Sequence, residues 1–414
     1  MTVLRLFTKA SIYATTIFFA LDRQLYLRVF SKSRLYNRKS QGKRYSGTTP
    51  IFERKTEMEI KITKIDPERM KPKPEDESKL GFGQIFTDHF FIVEYDNNEG
   101  WHNASIEPLR PLSLDPAAMC LHYGQEIFEG MKAYRGENGS VYLFRPEENM
   151  NRMNLSAERL CMPSIDVDLF MEALKKLVLL EKNWIPRGAG TSLYIRPTMI
   201  ATEPALGVHP SGQYLFFIIV CPVGAYYPEG FSPTKIYVSE KYVRAAQGGV
   251  GDCKAAGNYA ASLYASEEAL KMGCAQVLWL DARERKYVEE VGTSNIFFVI
   301  GDDLITPPLS GSILPGVTRD SVIRLAKSWG VNVLEKQLSM DEILNSIADG
   351  TLKETFASGT AAIVSPVGQI HYRGKDHVIS DGNTGPLTER LYNEILRIQY
   401  GEKEDPFGWR VKIS

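Results

Sequence analysis

The chain has 414 residues, 43% of them hydrophobic and 24% charged, with a formal net charge of −1. This length is enough for two domains, each with its own core. The first 50 residues hold ten Lys and Arg against one acid, so the remainder carries 39 basic and 49 acidic residues, which excludes a basic face for nucleic acid. Five cysteines without a Cys-x-x-Cys pair are typical of a reducing compartment, and six histidines without ligand spacing predict no metal site.

Residues 1–57 differ in composition from the rest, being basic, poor in acids and rich in Ser, Thr and Tyr. Their apolar run at 12–21 is too short to cross a bilayer. The composition is typical of a mitochondrial transit peptide. The other interpretation is that the segment is not translated and that synthesis starts at Met58. The first interpretation predicts the mitochondrial matrix and the second the cytoplasm, and both stay open at this point.

The rest of the chain predicts two α/β (α+β) domains. In the smaller, residues 58–222, the patterns indicate strands at 85–95, 142–146 and 214–220 and helices at 147–160 and 170–181. The run at 214–220 is apolar throughout, as in strands that are covered on both faces. Residues 223–234 include two prolines and two glycines and predict an interdomain loop. In the larger domain, residues 235–414, strands are expected at 235–238, 276–280 and 295–300 and helices at 259–272, 317–329 and 385–400.

A glycine-rich bend at 248–251 places Lys254 just ahead of an expected helix. Glycine lets the backbone turn sharply and approach a ligand closely. A lysine in such a bend can form a Schiff base once its ammonium group is desolvated. A P-loop would need Gly-Lys-Ser/Thr, whereas Cys253 and Ala255 flank this lysine. The bend alone could equally be a surface turn, so the surrounding segments decide its meaning.

Five segments, in order along the chain, together resemble the branched-chain amino acid aminotransferases. They read Y-I-R-P at 194–197, G-D-C-K at 251–254, E-E-V-G-T-S-N at 289–295, I-L-P-G-V-T-R at 313–319 and A-S-G-T-A-A at 357–362. The resemblance extends over residues 82–409. It implies a fold type IV enzyme with pyridoxal 5′-phosphate as cofactor, two α/β domains and a homodimer. The chain from Met58 also resembles the start of the compact bacterial members, which favours translation from there.

The resemblance implies a partner for each part of the cofactor. Lys254 would hold it covalently and later carry the proton that the substrate loses. Glu290, rather than its neighbour Glu289, would pair with the pyridine nitrogen, because a buried carboxylate beside that nitrogen keeps it protonated. The start of the helix at 317 would point backbone N–H groups at the phosphate. The other expected contacts are Tyr259 at the 3′ oxygen, Thr293 near the pyridine nitrogen, and Arg152, Val317, Thr318 and Thr360 at the phosphate.

The substrate pocket of such an enzyme admits both an aliphatic side chain and the distal carboxylate of glutamate. The resemblance implies Tyr194 and the Ala361 backbone near the substrate carboxylate, and Arg196 for the distal acid of glutamate. The expected reaction moves the amino group of Leu, Ile or Val to 2-oxoglutarate, giving the branched 2-oxo acid and glutamate. The aromatic wall would consist of Phe86, Tyr123, Phe128 and Tyr226.

Two other functions are compatible with parts of this pattern. A D-amino acid aminotransferase or an aminodeoxychorismate lyase would keep the fold and the cofactor but change the reaction. The Y-I-R segment and the long extension before Phe82 argue against both, since those relatives are shorter. A binding or scaffold protein without catalysis is disfavoured by the intact Lys254 and Glu290.

Overall fold

The computed structural model describes residues 58–224 and 231–414. The predicted transit segment and half of the predicted interdomain loop, residues 225–230, therefore lie outside the described residues. Glu57–Ser414 forms one compact unit. Within the described ranges, no helix is long and apolar enough to cross a membrane.

The first half of this unit is built on a mixed sheet with a helical layer. Its strands are β1 (Lys61–Ile62), β2 (His89–Asp96), β3 (Gly100–Pro108), β4 (Glu126–Phe128), β5 (Met131–Arg135), β6 (Val141–Phe144), β7 (Ser192–Ala201) and β8 (Gln213–Val223). Its helices are α1 (Met119–Tyr123), α2 (Pro146–Arg159) and α3 (Val167–Leu180), with 3-10 turns at Pro67–Arg69, Glu77–Lys79 and Lys182–Trp184. The strand order is β1-β3-β2-β8-β7-β5-β6, and β4 pairs with β7.

Local sequence explains where the helices of this half begin. Pro146 occupies the first turn of α2, where its missing N–H costs nothing. Asp166 caps α3 by accepting from the backbone N–H groups of Asp168 and Leu169. The apolar faces of α2 and α3 pack with the sheet in one core that includes Met150, Leu174 and Phe216 among its members.

The second half is a sheet that curls into a ring. Its strands are β9 (Thr234–Val238), β10 (Gln276–Leu280), β11 (Val288–Val291), β12 (Ser294–Ile300), β13 (Asp303–Thr306), β14 (Asn332–Glu335), β15 (Leu352–Gly359), β16 (Ile363–Tyr372) and β17 (Lys375–Val378). The order β11-β10-β9-β16-β15-β12 closes because β11 also pairs with β12, while β13 and β14 extend from β12 and β17 from β16. The helices that accompany it are α4 (Ala256–Lys271), α5 (Val317–Ser328), α6 (Met340–Ala348) and α7 (Pro386–Tyr400).

The two halves share structure at the end of the chain. Strand β18 (Arg410–Lys412) leaves the second half and pairs with β6 of the first sheet. A hydrophobic cluster holds Tyr134 and Phe144 of the first sheet together with Phe297, Ile395 and Trp409. The strands otherwise follow the predicted division at 223–234, which stays a prediction.

The expected elements occur close to their predicted bounds. The helix expected at 317–329 is α5, the one expected at 385–400 is α7, and the strand expected at 276–280 is β10. The strand expected from residue 85 begins at His89. The run at 214–220 is a strand, but its alternate residues Leu215, Phe217 and Ile219 are only half-buried in the single chain. The prediction that both faces of this strand are covered was therefore wrong for one face of β8 in the single chain.

Candidate active site

A cavity of about 420 Å³ lies between the two sheets. Strands β4 and β7 form one side, and β11, β12, β15 and the first turns of α4 and α5 contribute the other. Twelve of the fifteen site residues predicted from the sequence line it: Phe128, Arg152, Tyr194, Arg196, Lys254, Tyr259, Glu290, Thr293, Val317, Thr318, Thr360 and Ala361.

Lys254 is positioned from both halves of the unit. Its carbonyl oxygen accepts from the Phe128 N–H at 3.1 Å, and its own N–H donates to Ser156 Oγ at 3.0 Å. Its Nζ donates to the Tyr259 hydroxyl at 2.8 Å and lies 4.8 Å from the centre of the Phe128 ring. The lysine therefore extends into the cavity from a fixed backbone, with a phenol as its nearest hydrogen-bond partner.

Glu290 is a buried carboxylate at the cavity wall, 2% exposed. Its Oε2 lies 2.5 Å from a guanidinium nitrogen of Arg244, and its Oε1 accepts from Asn295 Nδ2 at 3.1 Å. Burial raises the pKa of Glu290 to about 7, although the charge of Arg244 opposes the rise. Arg244 also donates to the carbonyl oxygens of Gly251 and Ser312, so it joins the lysine-bearing bend to the segment before α5.

The N-terminus of α5 faces the cavity without a capping side chain. Among the described residues no side chain caps its first backbone N–H groups, so these groups can bind an anion, with the helix dipole in the favourable sense. Gly316 precedes the helix, and a Cβ there would lie 2.1 Å from Asn295 Oδ1, so the close approach of the two segments needs glycine. The hydroxyl of Ser358 lines the same cavity, buried and without a hydrogen-bond partner in the described structure.

Arg152 reaches the cavity from α2 but carries a carboxylate partner of its own. Its Nε and one terminal nitrogen donate to the two oxygens of Glu129 at 2.7 and 2.9 Å, and its other terminal nitrogen donates to Pro315 O at 3.0 Å. Burial opposes ionisation of Glu129, but the adjacent guanidinium outweighs it and lowers the pKa of that carboxyl. Contacts among the described residues thus occupy three of the five guanidinium N–H groups, which leaves two for a ligand.

The apolar side of the cavity is aromatic and contains one cation. Arg196 stacks on Phe128, with its guanidinium carbon 4.6 Å from the ring centre, and donates to the Tyr194 hydroxyl at 3.0 Å. Phe82 packs edge-on against Tyr194 with ring centres 4.9 Å apart. Within the described ranges no carboxylate lies within ion-pair distance of Arg196, and its Nε has no hydrogen-bond partner. The wall can thus bind an aliphatic group and still offer a guanidinium to an acid.

Lys132 is a buried cation beside the turn at 359–362. The Nζ of Lys132 donates to Ala361 O at 2.7 Å, and burial lowers the pKa of Lys132 to about 8. The lysine is 5% exposed. It anchors the turn whose residues Gly359, Thr360 and Ala361 line the cavity.

Three predicted residues do not line the cavity within the described structure. Phe86 packs on the hydrophobic cluster of Tyr194, Cys221 and Val223, and Phe82, which packs on the same cluster, lines the cavity instead. Tyr123 is 40% exposed and donates to Leu206 O at 2.5 Å. Tyr226 lies outside the described residues.

The residues at or beside the cavity that the sequence prediction did not include are, among others, Phe82, Glu126, Glu129, Lys132 and Arg244. The run F-E-G-M-K at 128–132 and the arginine ten positions before Lys254 were visible signals. They are common residue types, however, and their partners are distant along the chain. Lys132 and Ala361, for example, are 229 residues apart.

Comparison with known proteins is consistent with this geometry. Residues 126–370 match the family model for class IV amino-transferases. The matched segment contains Arg152, Lys254 and Glu290. The chain belongs to the class IV aminotransferases, enzymes that depend on pyridoxal phosphate.

Similar proteins within this class include branched-chain amino acid aminotransferases. The chain is 54% identical over 344 residues to branched-chain-amino-acid transaminase 1 of Bacillus subtilis, covering 83% of this chain and 96% of that protein. The crystal structure of the Escherichia coli branched-chain amino acid aminotransferase superposes with a TM-score of 0.66 at 30% identity, covering 79% of this chain and 99% of that one. The branched-chain aminotransferase of the archaeon Thermoproteus uzoniensis, solved with norvaline, also has a TM-score of 0.66, at 26% identity, covering 79% and 100%.

The residues of the cavity fit the cofactor of this class. An uncapped helix N-terminus, a partnerless serine hydroxyl and two guanidinium N–H groups of Arg152 that are free in the described structure suit a phosphate. The buried Glu290 suits a protonated ring nitrogen, and Lys254 supplies an amine between the two.

Proposed function

We propose that this chain is a branched-chain amino acid aminotransferase. It transfers the amino group of L-leucine, L-isoleucine or L-valine to 2-oxoglutarate, giving the branched 2-oxo acid and L-glutamate. The observation that carries the proposal is one cavity that combines Lys254 and Glu290 with an aromatic wall and an arginine lacking a carboxylate partner in the described structure. The B. subtilis relative at 54% identity, named a branched-chain-amino-acid transaminase, supports the same substrate class.

Different residues of the cavity are proposed to hold different parts of the cofactor. Lys254 Nζ would hold it covalently, Glu290 would bind the ring nitrogen, and Tyr259 would donate to the ring oxygen. Arg152, the N–H groups of Val317 and Thr318, and Thr360 would bind the phosphate, while Thr293 would lie near the ring nitrogen. When bound, pyridoxal phosphate supplies the electron sink that makes the Cα proton of an amino acid removable.

Proton transfer falls to Lys254. Its Nζ would be the base that takes the proton from Cα, and the Tyr259 hydroxyl 2.8 Å away holds that nitrogen in position. The ion pair with Arg244 helps Glu290 to remain an anion despite its burial. The aromatic wall excludes water from the reacting carbon while it binds the aliphatic side chain.

Attachment at Lys254 can be tested directly. After borohydride reduction of the purified enzyme and digestion, we expect the cofactor mass on the peptide that carries Lys254, and we expect Lys254→Ala to lose it. Turnover should be high with L-leucine, L-isoleucine and L-valine and absent with D-alanine. A cofactor recovered on another lysine, or turnover of D-alanine in place of L-leucine, would contradict the proposal.

Arg196 is proposed to bind the distal carboxylate of glutamate. An acid buried in an aromatic pocket without a partner would cost several kcal/mol, and leucine makes no such demand. Arg196→Gln should therefore raise the KM for 2-oxoglutarate much more than the KM for leucine. Equal losses for the two substrates would assign Arg196 a structural role, such as positioning Tyr194.

We further propose that the active form is a homodimer. Apolar side chains are exposed on α1, α2, α4 and the loop after β7, namely Leu121, Leu155, Leu206, Val208 and Leu263. Exposed apolar groups on adjoining elements favour an interface. Tyr123, exposed on α1, would then reach the pocket of the second copy instead of its own. Sedimentation should give a dimer or an assembly of dimers, and a fully active monomer would contradict this.

The location in the cell follows from the choice between the two N-terminal interpretations. The relatives at 51–54% identity come from bacteria, and we infer that this enzyme works in the cytoplasm. A full-length fusion with a fluorescent protein should be distributed through the cytoplasm of its own cell. Collection of the signal in mitochondria would favour the transit peptide.

A further inference from the structure

Glu126 places a second carboxylate in the wall of the cavity. It is the first residue of β4 and is half-buried. Burial raises the pKa of its carboxyl, and the charge of Arg196 opposes that rise. Among the described residues, the side chain of Glu126 has no hydrogen bond and no ion pair. A carboxylate facing a binding cavity without a partner acts on whatever charge enters that cavity.

The pairing of β4 with β7 puts Glu126 and Arg196 on the same side of the sheet. Glu126 is opposite Ile200 and Phe128 is opposite Thr198. Because side chains alternate along a strand, Glu126 and Phe128 face the cavity together with Thr198 and Arg196, and all four line it. Arg196 stacks on the ring of Phe128, which lies two residues along β4 from Glu126.

The charges of Glu126 and Arg196 affect aliphatic and acidic substrates differently. With an aliphatic side chain in the pocket, water leaves and Arg196 would be an uncompensated buried cation, which is costly. A nearby carboxylate offsets that cost through space. With glutamate in the pocket, the same carboxylate repels the distal acid of the substrate and competes for Arg196.

We propose that Glu126 is a specificity-determining residue, whose carboxylate balances the charge of Arg196 when an aliphatic substrate is bound and weakens the binding of acidic substrates. This inference rests on the proposed function of the cavity and on Arg196 as the partner of the distal acid. Specificity is a difference between two affinities. Glu126 raises the affinity for aliphatic substrates and lowers the affinity for acidic ones.

The test compares two ligands that differ in the distal group. Glutarate carries a second carboxylate, and 4-methylpentanoate carries an isopropyl group of similar reach. Calorimetry on the cofactor-loaded enzyme should show Glu126→Gln binding glutarate roughly three- to tenfold more tightly than the unsubstituted enzyme. Binding of 4-methylpentanoate should be unchanged or weaker. Equal shifts for the two ligands, or weaker binding of glutarate, would overturn the proposal.

A double-substitution cycle tests whether Glu126 acts through Arg196. In the Arg196→Gln background, Glu126→Gln should no longer tighten glutarate binding relative to 4-methylpentanoate. A gain that persists in this background would overturn the proposed coupling. As a control, Glu158→Gln removes the same charge from an exposed position on α2. This substitution should leave the preference between glutarate and 4-methylpentanoate unchanged. A shift of equal size in the control would show an effect of net charge alone and would overturn the proposal.

The failure of this inference can be told apart from failure of the proposed function. Failure of the proposed function would appear in the unsubstituted enzyme, as no turnover of leucine with 2-oxoglutarate. Failure of the inference about Glu126 would leave that turnover intact and appear as an unaltered ligand preference in the Glu126→Gln enzyme. Because Gln has nearly the shape of Glu, cofactor loading and melting temperature should match the unsubstituted enzyme and show that both proteins fold.

Discussion

Glu290 makes the stability of the cofactor-free protein depend on pH. Its ordinary pKa of 4.5 rises to about 7 because the carboxyl is buried. A folded pKa above the unfolded one contributes stability that is complete below about pH 4.5 and is lost as the pH rises through 7. Between pH 5 and 8 the cofactor-free enzyme should lose about 2 to 3 kcal/mol more unfolding free energy than Glu290→Gln. Urea unfolding across that pH range measures the difference, and parallel profiles for the two proteins would contradict it.

Lys132 is a buried charge whose removal should weaken ligand binding without lowering stability. Its ammonium group is desolvated, with its pKa lowered to about 8, and its hydrogen bond is to Ala361 O. Lys132→Met removes the desolvation cost and keeps the length of the side chain, so the melting temperature at pH 7 should stay the same or rise. The turn at 359–362 loses its anchor, so substrate analogues should bind at least severalfold more weakly. A lower melting temperature with unchanged affinity for 4-methylpentanoate would show a purely structural lysine.

At the scale of elements, the approach of β12 to the start of α5 organises the cofactor site. Asn295 on β12 donates to Glu290 Oε1 at 3.1 Å and to Leu314 O at 3.0 Å. Gly316, just before α5, touches the same asparagine, which links the carboxylate to the uncapped helix N-terminus. Glu290 and the helix N-terminus, the groups proposed for the two ends of the cofactor, are therefore linked through one small cluster.

Gly316→Ala should disturb both ends of the site together. The new Cβ would lie 2.1 Å from Asn295 Oδ1, so Asn295 must move and release Glu290 or the backbone of Leu314. We expect the dissociation constant for pyridoxal phosphate to rise about tenfold or more, which corresponds to the loss of one or two hydrogen bonds. Titration of the cofactor-free protein, followed by tryptophan fluorescence, measures it.

Gly257→Ala is the matched control for that substitution. Gly257 lies in the first turn of α4, near Lys254, and a Cβ there meets nothing within 4 Å. Alanine should be neutral or slightly stabilising at such a position. Equal weakening of cofactor binding by the two variants would show that crowding at Asn295 is not the cause.

At the scale of the whole molecule, Glu57–Ser414 is a compact unit that contains both sheets, the cavity and the shared hydrophobic cluster. All the site residues placed by the structure belong to it. A protein that begins at Met58 should therefore keep the melting temperature, the cofactor content and the leucine turnover of the full chain. Measurement of these three quantities on both proteins checks the prediction, and a loss of turnover in the shorter protein would make residues 1–57 part of the working enzyme.

The sequence alone determined the class of fold, the positions of the main helices and twelve of the residues that line the cavity. Helix α5 and strand β10 follow from local periodicity, and the motif around Lys254 is contiguous. Such features depend on neighbours in the chain, so they can be inferred without knowledge of the tertiary structure. The family resemblance named most of the side chains that line the cavity, and their roles there stay a prediction.

Only the tertiary structure decided which charges meet. Glu129 binds Arg152, Arg244 binds Glu290, Lys132 holds Ala361, and Glu126 shares a wall with Arg196. Tertiary packing also decided that Phe82 and not Phe86 lines the cavity, and that β18 joins the first sheet. These pairings bring together groups that are mostly tens to hundreds of residues apart in the chain, and desolvation in a shared cavity changes their pKa values and affinities. Composition and spacing carry no information on that proximity, because it arises when separate strands and helices pack against one another.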